Sequence, residues 1–337
     1  MNLSLHSLQI CSVLVPFIHD SIHKESRSIS LYNSYMSKMG NGVFRGYGCF
    51  FKANFCRFSQ VLNSCVYFER LSYEKMRFNS SLQVSNSIVL IDYCEFWNCN
   101  SVEGAGLNIN GDFMRISNSF FKKCISTKSG GAIISGSKIS NIEYCCFSEC
   151  QNMDFWGSSL HYLGSAQGLL FMCSATKDKP SNIVFSQSTP NCTAEYSNIS
   201  YSNAIYCSGI GHNNQVGGNI RYITVYNCAG NRAIEYWGSQ SRLTIFVNII
   251  NDNSVAGVFY VVNSHQTIRE VIFINIKSPT KSESNGSITF INALFGTDPI
   301  LMYLLHTREC IGLNKPTRNF SKENMAHYLL VLLFALL

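Results

Sequence analysis

Apolar and polar residues alternate in short segments along the middle of this chain, and three of these segments are nearly identical. They run over residues 91–99, 116–124 and 142–150, and each has an opening Ile, Cys or Ser at the fourth position, Phe at the sixth and Cys at the ninth. The fourth and sixth residues are small or apolar with polar residues around them, which is the period of two expected of a half-buried strand. The opening Ile has the opposite parity, so the pattern predicts a corner or bulge just after it.

Fainter copies extend the repeat toward the C-terminus. The units begin at residues 91, 116, 142, 170, 199, 220, 243 and 268. The mean spacing between successive starts is about 25 residues, which is typical of a solenoid, in which each coil packs only on its neighbours.

A glycine marks a second point in each coil. Gly104, Gly130 and Gly157 follow the starts of the three strong copies, and Gly257 holds the matching place in a later coil. Glycine permits a positive φ and a close approach of neighbouring backbone. A strand, a corner, a glycine corner and a second strand therefore make up one predicted coil of a β-helix.

The pairing of Phe-x-x-Cys with Gly130-Gly131-Ala132-Ile133 resembles the repeats of polymorphic outer-membrane-protein-like surface proteins. The cysteine-rich form is similar to repeats in surface-protein families of parasitic protists. Those families pair Phe-x-x-Asn with Gly-Gly-Ala-[Ile/Leu/Val], whereas Cys replaces Asn in most copies here and Asn251 is the exception. The resemblance covers about residues 85–295. It implies an all-β, right-handed parallel β-helix, a pectate-lyase-like solenoid with coils of about 25 residues.

The chain divides by composition into four predicted regions. Residues 1–40 form an N-terminal cap or a weak signal segment, 41–84 hold degenerate coils, 85–297 form the parallel β-helix, and 298–337 are a C-terminal tail. Residues 328–337 are its apolar end, but a ten-residue helix is about 15 Å long and covers half of a bilayer core. This end is a truncated transmembrane helix, a cleaved lipid-anchor tail or an apolar cap on the solenoid, and we favour membrane association.

Composition narrows the functional classes. The formal net charge of +6 comes from scattered residues, and only 14% of the chain is charged. Without a Lys/Arg run or a basic helix face, binding to nucleic acid is not expected. Asn-x-Ser/Thr triplets are consistent with a secreted glycoprotein, and they begin at Asn2, Asn79, Asn191, Asn198, Asn285 and Asn319.

The chain has 15 cysteines, several of which share one position of the repeat. The predicted ladder consists of Cys99, Cys124, Cys150, Cys207 and Cys228, with Asn251 in the same position. Coils about 4.8 Å apart would stack these side chains, and we favour a buried stack of thiols over disulfides between coils. Zinc is a third possibility, through Cys94 with Cys99 or Cys145 or Cys146 with Cys150. Because paired Cys-x₂-Cys spacing is absent, we expect no metal and no cofactor.

Parallel β-helices also carry polysaccharide lyases and hydrolases, whose chemistry needs clustered acids. The best candidates here are Glu235 with Arg232, and Asp252 one coil later, although Asn251-Asp252-Asn253 is also a typical turn. His161 and His212 lack an acidic partner in the sequence and are expected in turns or on the surface.

We therefore favour a non-catalytic scaffold, on a cell surface or secreted, that binds glycans or proteins. The alternatives are a carbohydrate-active enzyme on the same fold and an inactive fragment of a larger surface protein.

Overall fold

The structure, a computed structural model, describes residues 2–12, 18–19, 28–47, 49–69, 87–154, 157–163, 167–180, 183–188, 191–213, 217–238, 243–277 and 281–296. Within these residues all regular secondary structure is β-strand, arranged in three parallel sheets of 20, 11 and 4 strands. The prediction of an all-β parallel β-helix is confirmed. The tail at 298–337, with its apolar end at 328–337, lies outside the described residues.

Sheet 1 receives one or two short strands from every coil. They are Asn2–His6, Gln9–Cys11, Ser28–Tyr32, Tyr35–Met39, Phe50–Asn54, Arg57–Val61, Ile88–Asp92, Glu95–Trp97, Phe113–Ser117, Phe120–Lys122, Ile139–Glu143, Cys146–Ser148, Gln167–Phe171, Ser174–Thr176, Cys192–Glu195, Asn198–Ser200, Asn219–Tyr226, Leu243–Ile250, His265–Ile274 and Ser287–Gly296.

Sheet 2 lies across the interior from sheet 1 and takes one strand per coil. Its strands are Ile18–His19, Phe44–Tyr47, Val66–Glu69, Leu107–Ile109, Ile133–Ser135, Leu160–Leu163, Ile183–Ser188, Cys207–Asn213, Ala229–Trp237, Asn253–Val262 and Lys281–Ser284. Sheet 3 is shorter and consists of Asn100–Glu103, Ile125–Ser129, Gln151–Asn152 and Lys179–Pro180.

The coils stack in register, so the repeat of the sequence becomes a set of columns. Ile91 pairs with Ile116, and Ile116 pairs with Ile142. Nine coils lie between residues 88 and 296, with first strands that begin about 25 residues apart. The same column continues toward the N-terminus, where Ile91 pairs with Ala53 and Ala53 with Leu31. Strands within residues 2–69 thus belong to the same sheets as the later coils.

The corner predicted after the opening Ile is formed by a residue with left-handed backbone conformation, that is, with a positive φ. Tyr93, Asn118 and Tyr144 have φ values of 48°, 48° and 54°, and each separates the two strands that its coil gives to sheet 1. The corner turns the second strand, so that the opening Ile and the later Phe both point inward despite their opposite parity. The predicted corner after the opening Ile is confirmed.

The glycine corners have the backbone conformation that requires glycine. Gly104 and Gly130 have φ values of 54° and 61°. A Cβ at Gly130 would collide with the carbonyl oxygen of Ile133, and one at Gly104 with that of Leu107. Gly257 differs, because it lies within a strand of sheet 2 opposite Arg232.

The core is a stack of apolar side chains along the solenoid axis. Phe58, Phe96, Phe121 and Phe147 are fully buried, and their ring centroids are 4.9, 4.6 and 5.1 Å apart along the stack. Such offset rings add packing energy beyond the area that they bury. Among the described residues, no helix is present that could cross a lipid bilayer.

Two adjacent phenylalanines provide a test of this core. Phe121 points inward and is fully buried, whereas Phe120 points outward and is half-buried. Phe121→Ala should lower the free energy of unfolding by about 3–5 kcal/mol, because it leaves a cavity between two stacked rings. Phe120→Ala should cost about 1 kcal/mol or less. Urea denaturation followed by circular dichroism measures both changes, and equal costs would contradict the inward stack.

Candidate functional site

Backbone hydrogen bonds decide which residues share the position of the predicted cysteine ladder. In each coil, the backbone amide of the residue after the inward-pointing one donates a hydrogen bond to the carbonyl of the inward-pointing residue one coil earlier. Ile125, which follows Cys124, donates in this way to Cys99 at 2.9 Å. This column, called the inner column below, contains Cys99, Cys124, Cys150, Asp178, Ser202, Cys228 and Asp252.

Two of the predicted ladder residues lie elsewhere. Cys207 is in sheet 2, where it pairs with Ile183 and Arg232. The sequence analysis took Ile199 as the first residue of this repeat unit, which made Cys207 its ninth. In the structure Ile199 lies in the second strand that this coil gives to sheet 1, where it pairs with Ala175. Ala194 holds the opening position of that coil, and Ser202 therefore takes the ladder position.

Asn251 is displaced by a single residue. Thr244, and not Leu243, pairs with Ile220 at the opening position of the coil, so the ninth residue of that unit is Asp252. Asn251 instead has a φ of 51° and forms the left-handed corner just before the inner column. Coils of unequal length caused both displacements, since a fixed count of residues loses register after each longer loop.

The cysteines of the inner column are buried. Cys99, Cys124, Cys150 and Cys228 are free thiols with almost no exposed surface. Burial raises the pKa of the Cys124 thiol well above its usual value, and that of Cys228 to about 12. A protonated thiol is a poor nucleophile and a poor metal ligand. Cys124 and Cys228 therefore pack as small apolar groups.

Asp178 puts a carboxyl group into this column. Its Oδ1 accepts a hydrogen bond from the amide of Cys150 at 2.8 Å, and its Oδ2 accepts from the hydroxyls of Ser158 and Ser159. The side chain is completely buried. Burial raises the pKa of Asp178 to about 7, against the opposing effect of these three donors. Sequence reasoning missed this site, because Asp178 lies in the weakest part of the repeat.

Asp252, the first of the predicted catalytic candidates, occupies the same column three coils later. Its Oδ1 accepts hydrogen bonds from the amide of Ser254 at 3.0 Å and from the Ser254 hydroxyl. Only 1% of the residue is exposed, and burial raises the pKa of its carboxyl to about 6. The carboxylate thus closes a local turn, as the sequence Asn251-Asp252-Asn253 also allowed.

Arg232 and Glu235 form a buried ion pair. The guanidinium Nη1 of Arg232 lies 3.0 Å from Glu235 Oε2, and the guanidinium carbon lies 3.5 Å from the centroid of the Tyr260 ring. Burial raises the pKa of Glu235, while the adjacent Arg232 lowers it. Paired with each other and covered by Tyr260, these groups have the geometry of a structural contact.

The three candidates do not form an open acid pair. Hydrolysis of a glycosidic bond needs two carboxyl groups that reach the substrate from both sides, yet Glu235 and Asp252 have little exposed surface. His161 and His212 are also buried, on strands of sheet 2, which corrects the expectation of turns or surface. Burial lowers the pKa of His161 to about 4.

An open groove runs along the solenoid beside the inner column. It has a volume of about 510 Å³ and extends over four consecutive coils. One wall consists of the left-handed corner residues Gln60, Asn98, Lys123 and Glu149. The other wall consists of the residues two positions later, Leu62, Asn100, Ile125 and Gln151. Between the walls, the inner column points into the core.

The left-handed corner creates this shape. Each corner residue has a φ between 51° and 56°, which turns the backbone so that its side chain and the side chain two residues later project outward at an angle. Because the coils stack about 4.8 Å apart, the angled space between these two side chains continues over four coils as a groove about 14 Å long.

The groove combines polar and apolar surface and is nearly neutral. Four of its side chains are amides, which each offer both a donor and an acceptor. The Nζ of Lys123 lies 3.7 Å from Oε2 of Glu149, so the two charges of the groove offset each other. Leu62 and Ile125 add apolar surface. Neutral hydrogen-bonding groups with some apolar contact suit an elongated, uncharged, hydroxyl-rich ligand.

The groove residues flank the predicted ladder but were not selected from the sequence. Asn98 and Asn100 immediately precede and follow Cys99, and the same holds for Glu149 and Gln151 around Cys150. Once the cysteine is known to point inward, alternation places its neighbours outside. Alternation along the strand could therefore have predicted that these residues are exposed. It could not have predicted a concave surface, because that depends on the angle of the corner.

Within the part of the chain that the structure describes, no group of three or more His, Cys, Asp or Glu side chains is arranged to hold a metal ion. The zinc alternative through Cys94 and Cys99 thus finds no third ligand of these types among the described residues.

The fold defines the class of this protein as a parallel β-solenoid. No protein-family model matches the chain, and no curated protein matches it. Among solved structures, a mannuronic acid specific polysaccharide family 6 lyase from human gut microbiota is similar with a TM-score of 0.32 and 9% identity, over 86% of this chain and 77% of the lyase. These findings do not bear out the resemblance to polymorphic outer-membrane-protein-like repeats, and the assignment of the fold rests on the strand pairings above.

Asp178 makes the stability of the protein depend on pH. Its pKa is raised in the folded state, so its charged form is disfavoured there, and stability should fall as pH rises from about 4 through 7. Asp178→Asn keeps an acceptor for the Cys150 amide and removes the charge. The variant should therefore have a higher midpoint of urea denaturation than the wild type at pH 8, with the difference shrinking toward pH 4.

Asp178→Ala serves as the control, because it removes the charge together with the hydrogen bonds. It should be less stable than Asp178→Asn at every pH, since the Cys150 amide is left unpaired. An Asp178→Asn variant with no gain at pH 8 would show that the buried carboxyl carries no such cost.

Proposed function

We propose that this protein is a non-catalytic binding scaffold, on a cell surface or secreted, that holds an uncharged glycan chain in the axial groove. The observation that carries the proposal is the groove itself, which extends over four coils and is lined by four amide side chains from three of them. A glycan presents hydroxyl groups at regular intervals, and side-chain amides can donate to and accept from them. The rigid stack of coils holds these amides in place before the ligand binds, which limits the entropy lost on binding.

The charge balance of the groove favours an uncharged glycan over an acidic one. A polyanion would require unpaired basic side chains, whereas Lys123 is paired with Glu149. Proteins are the second class of partner for such a scaffold. A protein partner would require a larger apolar centre than Leu62 and Ile125 provide.

The location on a surface or outside the cell is part of the proposal and rests on the sequence. The apolar end at 328–337 and the Asn-x-Ser/Thr triplets support it. Asn198 is an exception among these triplets, because the residue is 2% exposed and closed to glycosylation in the folded chain.

The groove amides can be tested without strain on the backbone. Asn98 and Asn227 both have left-handed corners, with φ values of 51° and 50°, but only Asn98 lines the groove. Asn98→Gly removes the amide and tolerates the positive φ. On an array of neutral oligosaccharides it should weaken the binding of the preferred ligand about tenfold, the effect of one lost hydrogen bond of roughly 1.4 kcal/mol.

Asn227→Gly is the matched control and should bind like the wild type. Gln151→Ala, on the opposite wall, should weaken binding to a similar degree. Binding that survives both groove substitutions, or binding only of acidic glycans, would contradict this function.

The rival function is a carbohydrate-active enzyme, for which Glu235 and Asp252 are the available acids. A panel of polysaccharides assayed for new reducing ends and for unsaturated products should show no turnover above a blank, because both acids are buried. Turnover that disappears in Asp252→Ala but persists in the groove variant Asn98→Gly would overturn the scaffold function. An inactive fragment of a larger surface protein would show neither turnover nor glycan binding.

A further inference from the structure

The first and the last coil that the structure describes each form one edge of sheet 1. In the first coil, Asn2–His6 and Gln9–Cys11 pair with strands of the second coil. In the last coil, Ser287–Gly296 pairs with His265–Ile274. Among the described residues, no further strand pairs with the outer side of either edge. A strand edge of this kind is a template for pairing with another chain.

The inward positions of these two coils are apolar but incompletely covered. In the first coil, four of them pack on the core and are only partly buried, namely Leu3, Leu5, Leu8 and Ile10. Ile29, Leu31 and Met36, which hold equivalent positions in the next coil, are buried. At the other end, Phe295 is 65% exposed, whereas its partner Phe273 one coil earlier is 1% exposed. A terminal coil thus lacks cover on its outer side.

Neither edge contains the residues by which natural sheets prevent pairing between edges. Such protection usually comes from charged side chains, from proline or from bulges. Residues 2–11 and 287–296 contain no Lys, Arg, Asp, Glu or Pro, although 14% of the whole chain is charged. The two edges therefore meet no like-charge repulsion when they approach each other.

The two edges also match in register. The column that starts at Leu5 runs through successive strand pairs to Phe290. The column that starts at Ile10 runs in the same way to Phe295. Between these columns, each edge has a left-handed corner, Ser7 with a φ of 52° and Asn292 with a φ of 55°. The first coil is therefore a geometric continuation of the last.

We propose that this protein associates end to end with further copies of itself, with the first coil of one copy paired in parallel to the last coil of the next. The columns of sheet 1 then continue across the junction, so that Leu5 follows Phe290 and Ile10 follows Phe295. The junction joins two different surfaces, and each added copy again presents both edges. Because successive coils stack along one axis, such an interface builds an open filament and not a closed dimer.

The pairing within one chain predicts the hydrogen bonds of the junction. The amide of Ser7 donates to the carbonyl of Tyr32, and the amide of Tyr35 donates to that of Leu8. By the same pattern, the Asn292 amide would donate to the His6 carbonyl of the next copy. The amide of Gln9 in that copy would donate to the carbonyl of Ala293.

Lys281 limits the strength of this junction. Its Nζ donates to the carbonyl of Ile288, on the last strand of sheet 1, at 3.1 Å. A strand from a second copy competes with this ammonium group. Lys281 is exposed, and its long stem allows the charge to move to the rim of the junction and remain in water. The groove lies in interior coils, so this inference does not depend on the glycan-binding function.

Sedimentation velocity of the full chain tests the association. The weight-average sedimentation coefficient should rise with protein concentration and continue past the value of a dimer. Phe295→Lys should raise the apparent Kd at least about tenfold, because the junction would enclose an unpaired charge. Phe55→Lys is the matched control, since Phe55 is 56% exposed but lies on a coil with neighbours on both sides. It should associate like the wild type.

Disulfide trapping tests the register. Cys11 is an exposed free thiol, and its column ends at Gly296. Parallel partners about 4.8 Å apart are within the Cα range of a disulfide. Treated with a low-molecular-weight disulfide, Gly296→Cys should give a ladder of linked oligomers on a non-reducing gel. Two protein thiols become one disulfide, and the small disulfide is reduced to two thiols.

Two controls accompany the trapping experiment. Thr289→Cys lies on the same strand but faces Ser4 of the next copy in the proposed register, and it should give no ladder. Gly296→Cys combined with Cys11→Ser should also give none, because a link between two residues 296 stops at a dimer.

The opposite results are defined for both experiments. A sedimentation coefficient that does not change with concentration, an association that stops at a dimer, or equal weakening by Phe295→Lys and Phe55→Lys would overturn the proposal. Equal ladders from Gly296→Cys and Thr289→Cys, or no ladder from either, would overturn the register. Circular dichroism of each variant shows whether it folds, and the trapping experiment does not depend on Phe295→Lys.

Discussion

The hydrogen bonds between the backbones of successive coils are the constraint on which the rest of the structure depends. Backbone amides of one coil donate to carbonyls of the neighbouring coil, as Ile125 does to Cys99, so equivalent residues such as Cys99 and Cys124 lie about 4.8 Å apart in columns. The content of a column then follows from its surroundings. A buried column favours rings that stack, such as Phe96 on Phe121, or small thiols. A buried acid occurs where hydrogen-bond donors face its carboxyl group, as the Cys150 amide does at Asp178.

The same constraint gives the molecule its surfaces. A left-handed corner in every coil projects one side chain outward before the inner column, and stacking extends this projection into the wall of a groove. The groove is therefore a consequence of the corners, and its chemistry can vary from coil to coil without cost to the core. In the coils of Asn98, Lys123 and Glu149 these side chains form one wall of a nearly neutral groove, whereas the acids of the interior, Glu235 and Asp252, have little exposed surface.

The outer face of sheet 1 differs between the early and the later coils in residue type and in burial. The early coils keep charged side chains such as Arg57 and Lys122 on the outer face of sheet 1 and carry the groove beside it. The later coils present small neutral or apolar side chains there, and these are buried. The chemistry of the outer face can thus change along one continuous stack, because each coil contacts only its neighbours.

The sequence by itself determined the period, the inward Phe and Cys positions of the strong copies, the corner after the opening Ile and the glycine corners. These features depend on alternation and on allowed φ values, which are local. Only the tertiary structure decided the register of the weak coils, which moved the ladder from Cys207 to Ser202 and from Asn251 to Asp252. It also decided the groove. The physical reason is that loops of unequal length change the residue count between coils, while the backbone hydrogen bonds that align the coils join residues far apart in the chain.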